Sequence, residues 1–243
     1  MSAEKSPSQP GFWRSWITPF RPLPTGKLDD GLYAVRVGVV NLFLCAHNSG
    51  YLAIDSGISP VLLQRALCRL GILPSQVTHV LLTHGDVDHT AGLYAFPEAI
   101  IYLGEGDVPL VEGQLRRSLG ILKAPRLPRP YRTLVDGAEL EIGGLRVQAV
   151  ATPGHTPGAT CYWVAGRLLF TGDLLALWAG MVTPLSRLFS MDWKRQCASA
   201  QRLVSLPLDA LDWLCTAHSG ATRHARRALA GLSGEPFEQR ERR

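Results

Sequence analysis

THGDVDHTAG, residues 83–92, sets two histidines and two aspartates within the six positions from His84 to His89. The run just before it, VTHVLLT, is apolar and β-branched and reads as a buried strand. A strand ending in a polar turn lets a rigid sheet present side chains to a cleft. The same arrangement recurs along the chain: His155 follows LRVQAVATPG, Asp173 follows RLLFTG, and His218 follows LDWLCTA. Seven metal-capable side chains thus stand at four strand-to-turn junctions. Imidazole and carboxylate without thiolate suit zinc, iron or manganese, and two ions sharing a bridging carboxylate would use all seven donors. Two such ions can clamp a substrate oxygen and lower the pKa of a shared water enough to give hydroxide at neutral pH. The chemistry this implies is hydrolysis.

Outward from this motif the pattern is mixed. LYAVRV, VNLFLCA and YLAIDSG read as a meander of strands, with turn residues between them. Ser59 and Pro60 open a helix whose apolar face is Leu63, Ala66, Leu67 and Leu70, closed by Gly71. A helix is expected to start near His89, followed by a short strand at AIIYL. AELEIG, LRVQAVATPG, ATCYWVAG and RLLFTGD are further strands separated by glycine-containing turns. Residues 174–191 are apolar but irregular. A helix then fits residues 193–206, with Trp193, Cys197, Ala200 and Leu203 on one face. LDWLCTAH is the last strand, and a final helix places Ala221, Ala225, Ala228, Leu229 and Leu232 on one side. Two half-units of strands carrying helices predict an α/β protein with two packed sheets and helices outside. The expected organisation is an N-terminal extension at 1–28, one domain at 29–233 and a basic C-terminal tail at 234–243.

The formal charge of +5 lies largely outside the body: residues 31–218 hold 15 Lys and Arg against 14 Asp and Glu. A nearly neutral body with a basic tail argues only weakly for nucleic acid, and the tail reads as solvated; the expected partner is a small-molecule substrate. Between Gly113 and Val135 there is no acid, while Arg116, Arg117, Lys123, Arg126, Arg129 and Arg132 alternate with prolines. This basic loop reads as exposed surface, with an acidic substrate or partner as the alternative. The five cysteines are odd in number and lack Cys-x-x-Cys spacing, which fits core residues in a reducing compartment. With no signal-peptide pattern and no run of about 18 apolar residues, the expected location is the cytoplasm. The aromatic segment GFWRSWITPFRP is read as a strap packed on the domain.

In order, AIDSG, THGDVDHTAG, TPGHTPG, FTGD and AHSG resemble the motifs of the metallo-β-lactamase superfamily over roughly residues 31–219. The resemblance implies a four-layer αββα sandwich with a metal centre at one edge. It implies that His84 and His155 hold a first metal ion, that Asp88, His89 and His218 hold a second, and that Asp173 bridges them. Asp55 resembles the family's supporting carboxylate, and Asp88 is also the residue expected to orient the attacking water. Asp86 departs from the commoner H-x-H-x-D-H pattern. It either reaches the first ion as a harder oxygen ligand or contacts it through water. Zn2+ at both positions is the first expectation, with iron or manganese raised by the extra carboxylate.

The reaction implied is hydrolysis of an ester, thioester or lactone by a metal-bound hydroxide. The alternative is a mononuclear iron persulfide dioxygenase using His84, His155 and Asp173, as some relatives do. Relatives of the glyoxalase II type commonly carry a further helical domain, whereas 25 residues follow His218 here; the lactonases' tyrosine between Asp173 and His218 is missing. A metal-free binding module is disfavoured, because no predicted ligand is replaced by an inert residue. Trp178, Met181 and Phe189, in the apolar stretch after Asp173, are candidates for a substrate wall. His47, His79 and His224 match no ligand position.

Overall fold

The computed structural model describes residues 20–117, 126–128, 130–207 and 210–233. Most of the aromatic N-terminal segment, the basic tail at 234–243, and Lys123 and Arg129 of the basic loop lie outside the described residues. Seven strands form one sheet in sequence order: β1 (Gly26–Asp29), β2 (Leu32–Val37), β3 (Val40–His47), β4 (Gly50–Ile54), β5 (Val77–Leu82), β6 (Ile100–Gly104) and β7 (Tyr131–Leu134). The chain continues through β8 (Glu139–Ile142), β9 (Leu145–Ala151), β10 (Thr160–Val164), β11 (Leu168–Phe170), β12 (Leu175–Trp178), β13 (Met181–Pro184), β14 (Trp213–Thr216) and β15 (Gly220–Thr222). Six of these make the second sheet, in the order β15-β14-β11-β10-β9-β8, and β12 and β13 pair as a separate hairpin. Helices are α1 (Pro60–Arg69), α2 (Val87–Thr90), α3 (Val108–Val111), α4 (Trp193–Arg202) and α5 (Ala225–Leu229).

Alternation along the strands explains the layers. On β3, Leu42 and Leu44 face α1 with Leu63, Ala66 and Leu67, while Phe43 and Cys45 face the other sheet. On β10, Tyr162 and Val164 join that inter-sheet layer, and Cys161 and Trp163 point outward to Ala200 of α4 and Ala228 of α5. Strands buried on both faces read as continuous apolar runs. The result is the αββα sandwich, with its central core around Phe43, Tyr162 and Phe170.

Local chemistry fixes the two longer helices. Ser59 caps α1 by accepting from Leu62 N, with Pro60 in the first turn, and Asp192 caps α4 by accepting from Arg195 N. Several expectations are corrected. The strand β1 starts before residue 29, inside the expected extension, and β7 lies within the proline-rich basic stretch. The irregular stretch after Asp173 contains the β12–β13 hairpin. Ala221 belongs to β15 rather than to the final helix, and α5 is short. Four cysteines are buried, but Cys68 is exposed on α1. Among the described residues no helix is long and apolar enough to cross a membrane.

Phe170 is fully buried between the sheets, with its ring 5.5 Å from that of Phe43. Phe170→Ala is expected to destabilise the fold by about 3–5 kcal/mol, through lost transfer energy and the cavity left behind. Urea unfolding followed by circular dichroism measures this; a change below about 1 kcal/mol would mean that the layer is not the cooperative core.

Candidate metal centre

β4 and β5 run parallel in the first sheet. In the second, β10 is antiparallel to both β9 and β11, and β11 is parallel to β14, so β9, β11 and β14 point the same way. The residues singled out from sequence follow the C-terminal ends of these strands: Asp55 after β4, His84 and Asp86 after β5, His155 after β9, Asp173 after β11 and His218 after β14. Asp88 and His89 lie on the single turn of α2. The two sheets are tied at this end, where Thr160 N donates to Thr83 O at 2.8 Å and the Tyr162 hydroxyl donates to Leu82 O at 2.8 Å.

Three overlapping groups of donors converge: His84, Asp86 and His155; His84, His89 and Asp173; and Asp88, His89 and His218. Asp86 Oδ2 lies 3.4 Å from His84 Nε2 and 3.2 Å from His155 Nε2. Asp88 Oδ2 lies 3.6 Å from His89 Nε2 and 3.4 Å from His218 Nε2. Asp173 faces both ways: Oδ2 is 3.5 Å from His155 Nε2, and Oδ1 is 3.5 Å from His89 Nε2 and 3.2 Å from His218 Nε2. A tetrahedral ion with bonds of about 2.0–2.1 Å spaces its donors about 3.3 Å apart. The nitrogens His84 Nε2 and His89 Nε2 and the oxygen Asp86 Oδ1 are buried without a hydrogen-bond partner, a condition that a bound cation would relieve. The donor set therefore fits two divalent ions.

Supporting contacts orient these donors. Asp55, at φ 67°, accepts from Thr83 N at 2.7 Å and from His89 Nδ1 at 2.8 Å, so the proton on Nδ1 turns the Nε2 lone pair of His89 to the centre. His218 Nδ1 donates to Val39 O at 2.9 Å with the same effect. Two glycines permit the close approach. A Cβ on Gly92 would stand 1.8 Å from Ser56 O, beside the Asp55 turn. One on Gly172, at φ 51°, would stand 2.6 Å from the Thr83 Cβ.

Two further buried side chains at the centre were not singled out by the sequence. Asp107, fully buried, accepts from Gly85 N at 2.8 Å, Thr156 Oγ1 at 2.9 Å and Gly158 N at 2.6 Å, joining the loops that carry His84 and His155. Arg117, read as loop surface, is only 7% exposed. Its Nη2 lies 3.1 Å from Asp86 Oδ2, and it donates to the carbonyls of His155 and Phe189.

The expected wall residues divide. Phe189 is 39% exposed, with its ring 6.0 Å from that of Phe20, which lies 4.4 Å from the His218 ring. Trp178 carries the Arg21 guanidinium 4.7 Å from its ring centre. Met181 pairs with Trp178 across the β12–β13 hairpin and packs towards Gly231, where an added Cβ would come within 3.0 Å of its Cε. His47 and His79 both contact Thr78 Oγ1, at 2.9 and 2.8 Å, and join none of the donor groups.

The charge balance sets the protonation of the site. Burial alone would lower the His89 pKa, but Asp55, Asp88 and Asp173 outweigh it and push it up to about 9. Burial is likewise outweighed at His218, where Asp173 and Asp88 raise the pKa well above its ordinary value. At Asp86, burial is overcome by the imidazoles of His155 and His84, which hold the carboxyl well below the usual range. At Asp107 burial prevails and the pKa rises.

Comparison with known proteins agrees with the fold. The family model described as the metallo-beta-lactamase superfamily matches residues 35–218. The hydroxyacylglutathione hydrolase of Aeromonas hydrophila subsp. hydrophila is 32% identical over 175 residues, covering 70% of this chain and 58% of that protein. That of Rhodospirillum rubrum is 33% identical over 158 residues, covering 63% of this chain and 54% of that protein. The chain thus spans little more than half the length of these relatives. A metallo-beta-lactamase family protein from Thermus thermophilus shares the fold at a TM-score of 0.62 and 23% identity, covering 84% of this chain and 79% of that one.

Ligation requires neutral imidazole, whereas the surrounding carboxylates favour the protonated forms of His89 and His218 in the metal-free protein. Zinc binding at pH 7 is therefore expected to release protons, about one of them from His89, and affinity is expected to rise with pH until about 9. Calorimetric titration in buffers of different ionisation enthalpy measures the release; none at pH 7 would contradict the charge balance described. Asp55→Ala, which removes the acceptor of His89 Nδ1, is expected to weaken metal binding by about 10–100-fold.

Proposed function

The chain belongs to the metallo-β-lactamase superfamily, and from that premise we propose that it is a metal-dependent hydrolase whose preferred substrates are thioesters, with esters and lactones as related targets. The observation that carries the reading is the donor geometry: two sets of imidazole and carboxylate, 3.2–3.6 Å apart, sharing Asp173. The relatives' name, hydroxyacylglutathione hydrolase, supports an acyl–sulfur bond as the point of cleavage. In this reading His84, Asp86 and His155 hold one divalent ion and Asp88, His89 and His218 the other, with Asp173 between them. Zn2+ is the first choice, and the extra oxygen donor of Asp86 raises iron and manganese. Bound there, the ions supply Lewis acidity for the carbonyl and hydroxide from water at neutral pH.

The chain's own residues supply orientation. Asp55 and Val39 O fix the tautomers of His89 and His218. Asp88 is the most exposed carboxylate of the centre, its side chain 23% accessible. Burial is outweighed there by His89 and His218, which hold its pKa down, so Asp88 accepts a hydrogen bond from the attacking water and aligns it rather than storing its proton. We take the body from β1 to the turn after α5 as a single catalytic domain, and the cytoplasm as the location, supported by five free cysteines.

Zinc-loaded protein is expected to cleave S-acylglutathione and simple thioesters faster than matched oxygen esters. His89→Ala is expected to lower kcat/KM by at least about a hundredfold, the scale set when several kcal/mol of charge stabilisation are lost. Steady-state assays, with circular dichroism to show that the variant is folded, test both; full activity in folded His89→Ala would reject the mechanism.

A further inference from the structure

Asp86 has a partner that the metal reading alone does not use. Arg117 Nη2 lies 3.1 Å from Asp86 Oδ2 and 3.4 Å from His155 Nε2, two of the donor atoms of the first half of the centre. The same nitrogen donates to Phe189 O at 2.6 Å, and Nη1 donates to His155 O. The Arg117 and Asp86 side chains are 8% and 7% exposed. An arginine keeps its proton in proteins, so this positive charge is a permanent part of the half-site.

A count of charge shows what it does. With neutral imidazoles, His84, Asp86 and His155 together carry one negative charge, and Arg117 returns the sum to zero. That is the charge three histidines would give. We propose that Asp86 and Arg117 are a charge-matched unit that sets the affinity of this half-site for a divalent cation. Asp86 contributes a hard oxygen donor, and Arg117 cancels the extra attraction that its charge would bring. A staple that only held the His155 and Phe189 carbonyls would affect stability and leave no charge-dependent signature.

The inference rests on the metal-centre reading and is tested without reference to turnover. Full-length protein, stripped of metal, is titrated with Zn2+ against a chromophoric chelator, and both stepwise dissociation constants are read, the Asp86 half being the site expected to respond. Arg117→Met is expected to tighten that site about tenfold, and Asp86→His to weaken it about tenfold, because each leaves an uncompensated charge within a few ångströms of the ion. The double variant is expected to return to within about threefold of the parent. Arg117→Lys, which keeps the charge, is expected to stay near the parent. Unchanged or weaker binding in folded Arg117→Met, or a double variant no better than Asp86→His, overturns the proposal. A parent protein that binds no Zn2+ overturns the underlying metal-centre reading instead. Should Met or His prevent folding, Arg117→Gln and Asp86→Asn carry the same charge changes in similar shapes, and the same reciprocal pattern decides.

Discussion

Asp55, Asp86, Asp107 and Asp173 are all buried at one end of the sandwich. An ionised carboxylate taken out of water without partners costs more than any single contact returns. Much of the local structure answers that constraint. Asp55 is met by Thr83 and His89, Asp86 by Arg117 and His155, and Asp173 by His89, His155 and His218. At Asp107 burial prevails over the charge of His84 and the hydrogen bonds from Gly158, Gly85 and Thr156, and its pKa rises. The same crowding of carboxylates outweighs burial at His89 and His218 and raises the pKa of both imidazoles.

Such a concentration of charge needs a frame that does not relax. The strand ends provide one because β9, β11 and β14 are codirectional and the two sheets join at Leu82 and Thr83. The glycines of the motifs belong to this frame. Gly92 lets the turn after α2 rest on Ser56 O, and Gly172 lets the Asp173 turn pass the Thr83 side chain. A side chain at either position would separate the loops whose donors must stay about 3.3 Å apart.

The sandwich and the donor positions were legible because their signals are local: apolar runs that end in a histidine or aspartate. Features that depend on distant partners were not. Arg117 looked like one charge among several in an acid-free loop, yet its partners are Asp86, His155 and Phe189. Asp107 sits just before α3, with nothing nearby in sequence to mark its bonds to Gly85 and Gly158. The β12–β13 hairpin was hidden for a different reason. Its two-residue turn, Ala179 and Gly180, has positive φ at both positions, a conformation usually announced by asparagine or aspartate before glycine. β7 was masked by Pro130, but it is an edge strand, where a proline at the start removes no internal ladder bond.

The two halves of the centre differ in access. Asp86, His155 and His84 are closed in, and Arg117 seals their flank. Asp88 is the donor with substantial exposure, and beside it Phe20 lies against His218 while Phe189 and Leu188 stand exposed. The Asp88 side is thus the more accessible edge of the centre, with the Phe20 ring against His218. Because Arg117 also holds the carbonyl of Phe189, the charge of the inner half and the position of the exposed rim at Phe189 share one side chain. A change at Asp86 that releases Arg117 therefore reaches the Phe189 carbonyl as well, and the inner donors and the outer rim are linked through that guanidinium.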